Sequence, residues 1–260
     1  MNMEEMVKEL VKLETVEGNQ EQIEKGLQLV EGELPEDFDI QRFEKEGEGS
    51  LLATRGEPEI ILHGHIDVVD AEDDLFQPEA SDGKIYGRGT ADMKAGIACI
   101  VKAAQKVEAQ NIGVLITSDE ERGGFNGTGY VLEETGIETE LAISAEPDDS
   151  GSFPSIVTKQ KGVLQLQLEA SGENAHASKP EKGVNAAEKL VERYTEFRSG
   201  FDHEAEFGTT INLGNISAEG PANQIPDEAS LQVDIRYSGQ YTKEEVLEDL
   251  GQIEGLEYEI

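Results

Sequence analysis

At 260 residues and 37% hydrophobic content, the chain is long enough for one large domain or two ordinary ones with real cores. Its 21 Lys and Arg stand against 56 Asp and Glu, a formal charge of -35, which argues against nucleic acid and anionic membrane as partners because both repel such a surface. A single cysteine rules out an internal disulfide framework, and the acidic start MNMEEMVKEL lacks the basic and apolar segments of a secretory signal.

The carboxylates run from Glu4 to Glu259 and interleave with apolar periodicity, so the acidity belongs to the whole surface. This pattern reads as haloadaptation, in which high salt screens self-repulsion. No apolar run approaches a membrane span, and a soluble cytoplasmic protein acting on a cation or small molecule is expected.

In chain order, Met3, Met6, Val7, Leu10 and Val11 recur at helical spacing, and Ile23, Leu27 and Val30 repeat the pattern, predicting two amphipathic helices. Residues 59–63 (EIILH), 112–117 (IGVLIT) and 141–144 (LAIS) read as buried strands, with a helix from Asp92 to about Val107 that places Cys99 in the core. Strand and helix alternating in this way predict an α/β sheet with helices on its faces.

After about Ile156 the pattern changes. Leu164, Leu166 and Leu168 alternate with Gln165, Gln167 and Glu169, and Leu231, Val233 and Ile235 alternate with Gln232, Asp234 and Arg236, as in an antiparallel sheet with one wet face. Helices over 184–198 and 243–250, a strand near 209–213 and a last strand over 256–260 complete a ferredoxin-like α+β order. The expected domains are 1–156 and 157–260, with the boundary near Pro154.

Four groups carry chemistry. His63-Gly64-His65-Ile66-Asp67 lies at the C-terminal end of the first strand, where ligands bind in open α/β sheets. The strand period of two turns His65 and Asp67 to the same side, so the carboxylate can fix the imidazole as a metal ligand; the alternative is a pair of histidines satisfied by backbone. Asp92 follows a glycine-rich turn and is either a helix cap or a carboxylate bridging two ions. Asp119-Glu120-Glu121-Arg122 follows the second strand and Glu146-Pro147 the third, each open to reading as a solvated acidic loop. Three strands ending in His or carboxylate at one sheet edge favour a cation there, because the like charges otherwise repel. Two other patterns fail: Leu75 and Ser81 break a calcium loop at Asp70, and the glycines at 123–129 lack a P-loop ending.

HGHIDVVD, GRGTADMKAG, TSDEERGG and AEP, in that order, resemble the metal-site blocks of the M20 metallohydrolases, and the resemblance covers nearly the whole chain. It implies a zinc-peptidase-like catalytic domain with a ferredoxin-like lid that forms a homodimer. It further implies two divalent ions, zinc or alternatively cobalt, held by His65, Asp92 as the bridge, Glu121 and Glu146. Glu120 becomes the general base and Asp67 the carboxylate behind His65. In the lid, His176 resembles the histidine that donates to the tetrahedral oxyanion, and Asn223 and Arg236 resemble residues that hold the substrate carboxylate; an exposed turn histidine and a surface ion pair are the plain alternatives.

The implied activity is hydrolysis of an amide bond in a small N-acyl amino acid, of the acetylornithine deacetylase or succinyl-diaminopimelate desuccinylase type. A carboxypeptidase or dipeptidase acting on short peptides comes second, and a non-catalytic binding or dimer module third. Family members carry a late histidine that completes the second ion's ligands, and neither His63, His176 nor His203 has that context. A truncated, catalytically impaired chain is therefore expected.

Overall fold

The computed structural model describes every residue except 148–154, 205–206, 254–256 and 260. The expected boundary segment and last strand thus lie partly outside the described residues. Two compact units divide the chain, Met1–Phe153 and Pro154–Ile260.

The first unit opens with helix α1 (Met3–Val11), where Asn2 and Glu5 each accept the other's backbone N–H at 2.9 and 3.0 Å, satisfying two donors a helix start otherwise leaves orphaned. Helix α2 (Gln20–Glu33) follows, burying Ile23, Leu27 and Val30. Strands β1 (Asp39–Lys45) and β2 (Glu48–Arg55) form a hairpin that turns at Glu46 and Gly47, both at positive φ. Next come β3 (Ile60–His65), the small hairpin β4 (Glu79–Ser81) and β5 (Lys84–Tyr86), helix α3 (Ala95–Ala104), β6 (Ile112–Thr117), α4 (Thr128–Thr135) and β7 (Leu141–Ser144).

These strands build a mixed five-stranded sheet in the order β1-β2-β6-β3-β7, with β3 parallel to both β6 and β7. The alternation within the strands sorts its two faces. Leu51, Ala53, Val114 and Ile116 pack with Leu10, Leu27, Ile97 and Val101 from the first three helices. Leu52, Ile61 and Leu115 pack with Val131 of α4 on the other face. Each such Leu, Ile or Val, fully buried, contributes about 1.5–3 kcal/mol. Gly64 lets α3 approach β3, since a Cβ there meets Met93 Cε at 2.9 Å and Ile97 and Ile100 at 3.3 Å.

Three expectations are corrected. The helix expected from Asp92 starts at Ala95, because Asp92 (φ -112, ψ 103) and Met93 are non-helical and form a kinked turn. Cys99 is exposed, since the period of α3 points Ile97, Ala98, Ile100 and Val101 inward and residue 99 out. The strand at 141–144 pairs only with β3 among the described residues and is exposed along its length. The β1–β2 hairpin and α4 were not anticipated.

In the second unit, β8 (Gly162–Ser171), β9 (Ala175–His176), α5 (Ala186–Ser199), β10 (Thr210–Ser217), β11 (Gln224–Ile225), β12 (Glu228–Tyr237), α6 (Lys243–Gly251) and β13 (Glu257–Glu259) follow in order. An antiparallel sheet runs β10-β12-β8-β13, while β9 and β11 form a separate two-stranded pair. Leu164, Leu166, Leu168, Leu231, Val233 and Ile235 bury one face against Leu190, Phe197, Val246 and Leu250 of the helices. Among the described residues, no helix is long and apolar enough to cross a membrane.

Candidate metal centre

Because β3, β6 and β7 run parallel, their C-terminal ends lie at one edge, with His65 opposite Thr117 and His63 opposite Ser144. The loops leaving β6 and β7 carry Glu120, Glu121 and Glu146 to that edge, and the kinked turn before α3 delivers Asp92. His65 is fully buried, and its Nε2 lies 2.9 Å from Glu146 Oε1, 3.0 Å from Asp92 Oδ1 and 3.8 Å from Glu120 Oε2. Its Nδ1 is 3.0 Å from the Asp67 carbonyl and 3.3 Å from Asp67 Oδ1. The backbone of Asp67 is thus the nearer partner, where the sequence pattern pointed to its carboxylate. The other carboxylate oxygen, Asp67 Oδ2, accepts the Glu121 N–H at 3.0 Å, tying the two segments together.

The electrostatics follow from this crowding. Burial pulls the His65 pKa down, but the hydrogen bond and charge of Asp67 and the charges of Glu146 and Glu120 outweigh it and hold the imidazole at about 9. Burial, then the charge of Asp92, pushes the Glu121 carboxyl up against the pull of His65. Burial also raises Glu146, with Asp92 and Glu120 adding to it and His65 opposing. A metal-free cluster therefore uses a proton on His65 as its counter-charge.

The donor set fits a divalent cation. His65, Glu120 and Glu146 bring ligand atoms within 4.8 Å of one another, and the mixture of imidazole and carboxylate suits zinc-like ions. Asp92 joins through its contact with His65, whereas Glu121 is tied to the cluster by its backbone bond to Asp67 and by the charges its carboxyl feels from Asp92 and His65. A cleft of about 590 Å³ lined by Val16, Glu17, Asp67, Asp70, Glu121 and Arg122 opens beside the cluster.

The turn that carries Glu120 and Glu121 is held on both sides. The Asp119 carbonyl accepts the N–H of Arg122 and Gly124, and its carboxylate accepts the Asn126 N–H at 2.8 Å. Arg122 pairs with Glu17 at 3.0 Å and with the buried Glu48. His63 is satisfied by Thr128 Oγ1 at 3.1 Å and Ser144 Oγ at 3.4 Å, the role of a structural histidine. Sequence reading also passed over Lys94 and Thr15, both fully buried beside the cluster. A lone cation entering an apolar helix was the available signal for Lys94. Burial pulls its pKa down to about 7 against the upward pull of Asp67.

The remaining site residues lie in the second unit. His176 on β9 is paired with Gln224 of β11, and the Asn223 carbonyl accepts the Ala177 N–H, so the His176 and Asn223 segments adjoin. The Ser178 N–H donates to His176 Nδ1 at 3.2 Å, which makes Nδ1 an acceptor and leaves the neutral ring's proton on Nε2. Arg236 is exposed and engaged by Asp234 of its own strand at 2.6 and 2.9 Å, the surface ion pair of the plainer alternative.

Comparison with known proteins bears on the family and the fold. Succinyl-diaminopimelate desuccinylase from Acinetobacter baumannii (strain AYE) is 31% identical over 230 residues, covering 82% of this chain and 60% of the relative. The enzyme of that name from Stenotrophomonas maltophilia is 32% identical over 211 residues, covering 73% and 56%. The chain therefore spans about 60% of the length of these relatives. Among solved structures, an M20 family metallo-carboxypeptidase from Sulfolobus solfataricus matches with a TM-score of 0.69 at 16% identity, covering 99% of this chain and 78% of that one. Aminopeptidase PepT from Bacillus cereus matches at 0.67 and 18%, covering 100% and 75%; at such identities both report on the fold. Residues 61–238 match the model of peptidase family M20/M25/M40, and the chain belongs to that family.

Proposed function

We propose that this chain is a metal-dependent hydrolase that cleaves an amide bond in a small N-acyl amino acid, of the succinyl-diaminopimelate desuccinylase or acetylornithine deacetylase type. The observation that carries it is the buried His65 imidazole with Glu146, Asp92 and Glu120 gathered at its Nε2. The likeness to named desuccinylases favours the deacylase over the carboxypeptidase or dipeptidase alternative.

Two divalent ions, zinc or cobalt, are assigned to His65, Asp92, Glu121 and Glu146. When bound, they supply polarisation of the amide carbonyl and a lowered pKa for the attacking water. Glu120 takes the water's proton and delivers it to the leaving amine, and Asp67 orients His65. His176 suits donation to the developing oxyanion, because Ser178 leaves its proton on Nε2. Asn223 and Arg236 hold the substrate carboxylate, for which Arg236 must exchange Asp234 for the ligand. We read the second unit as a ferredoxin-like lid; supporting this is the strand order β13-β8-β12-β10, with the first and third long strands central and two helices on one face. A cytoplasmic homodimer with a haloadapted surface completes the reading.

The test combines metal content with hydrolysis of N-succinyl-diaminopimelate, N-acetylornithine and dipeptides in high salt. Glu120→Gln should keep metal stoichiometry and lose turnover. Retained turnover removes Glu120 from the role, while metal binding with no residual hydrolysis by the parent chain, even at high enzyme concentration, points to a binding module.

A further inference from the structure

The loop between α1 and α2 meets the end of β3 at one residue. Thr15 is fully buried, its hydroxyl donates to the Ile66 carbonyl at 2.6 Å, and its own carbonyl accepts the Val68 N–H at 3.1 Å. The residues on either side of Asp67 are thereby pinned to the loop. Asp67 is left to turn its carbonyl to His65 and its carboxylate to the Glu121 N–H.

Two residues earlier, the Leu13 carbonyl accepts from Lys94 Nζ at 2.8 Å. Lys94 is fully buried, its stem runs along Gly89, and it stands two positions after Asp92. Burying an ammonium is costly, and a methionine could fill the same space without that cost. What methionine could not supply is the bond to the loop. A continuous polar chain therefore links Lys94, Leu13, Thr15 and the main chain at 66 and 68, joining the segment that carries Asp92 to the one that carries His65.

We propose that residues 13–15 form a strap and that Thr15 and Lys94 are positioning residues for the metal centre, fixing the spacing between His65 and Asp92. Neither touches an ion or substrate; each acts through the backbone it holds. The inference rests on the reading of the cluster as a metal centre, and the control below separates the two.

The experiment measures cobalt affinity of the 260-residue chain by competition with a chromogenic chelator, with unfolding midpoints recorded alongside. Thr15→Val and Lys94→Met should each weaken binding about 10–100-fold, the usual effect of removing a group that orients a ligand, while Thr15→Ser stays within about threefold of the parent. The double variant should be no weaker than the worse single one, because both changes release one strap. If His65→Ala loses binding while Thr15→Val and Lys94→Met keep it within about threefold, the strap is overturned and the centre stands. If His65→Ala binds like the parent, the metal reading beneath it fails. Should either strap variant not fold, amide exchange in the parent decides: coupling requires that added metal slow exchange of the Val68 N–H, and unchanged exchange overturns the strap.

Discussion

Occupation of the centre by a divalent ion should expel the proton from His65, and the cost of that proton sets how affinity depends on pH. With the imidazole held at about 9, only about one ring in a hundred is free at pH 7, which costs about 3 kcal/mol, or roughly a hundredfold in affinity. Between pH 7.5 and 8.5 cobalt affinity should rise about tenfold, levelling above pH 9. That window also keeps Lys94, pulled down to about 7, largely out of the proton balance. Chelator competition across the window gives the slope, and the imidazole proton resonances give the site, since the chain has only four histidines to resolve. The metal-free His65 signal should titrate near pH 9 and cease to titrate with metal present. An affinity that changes less than about twofold across the window, or a metal-free midpoint near 6.5, would refute the reasoning.

Asp67→Asn removes the strongest upward pull on His65, so the metal-free midpoint of that resonance should fall by about one unit or more; no movement removes Asp67 as its partner. In stability terms, the contribution of His65 to the metal-free fold is complete below its unfolded value of about 6.5 and is lost as pH rises through about 9. The same substitution should flatten that part of the unfolding profile. Gly64→Ala pushes a methyl into Met93, Ile97 and Ile100 and should destabilise the fold by about 1–3 kcal/mol in denaturant titration. With a formal charge of -35, the chain should gain thermal stability as salt rises from about 0.1 to 1 M, where the screening length falls from about 10 to 3 Å; a flat or falling midpoint removes the haloadapted reading.

Much of this was legible beforehand because the informative segments are strongly patterned. The run 112–117 is apolar up to its closing Thr117 and is a fully buried strand, and the alternation about Leu166 and Val233 marks strands with one wet face. The hairpin at 39–55 escaped because β1 is polar and mostly exposed, so its periodicity is weak; the Glu46-Gly47 turn was its remaining signal. The helix start expected at Asp92 is displaced for the opposite reason. Helical periodicity runs through it, and only tertiary packing around Met93 and Gly64 shows where the helix begins. The convergence of His65, Glu120 and Glu146 followed from strand ends alone, whereas Thr15 and Lys94 act across long sequence separations that local pattern does not encode.

The parallel pairing of β3 with β6 and β7 also bears on how the molecule folds. Ile60 finds Ile112 on one side and Leu141 on the other, so the edge that gathers His65, Glu120 and Glu146 is assembled from non-local contacts. Such contacts close slowly and late. A divalent ion has no preformed site in the unfolded chain and meets its ligands only once these strands are paired. It should therefore lengthen the lifetime of the folded state by slowing unfolding and leave the folding rate almost unchanged, acting as a latch on a finished structure.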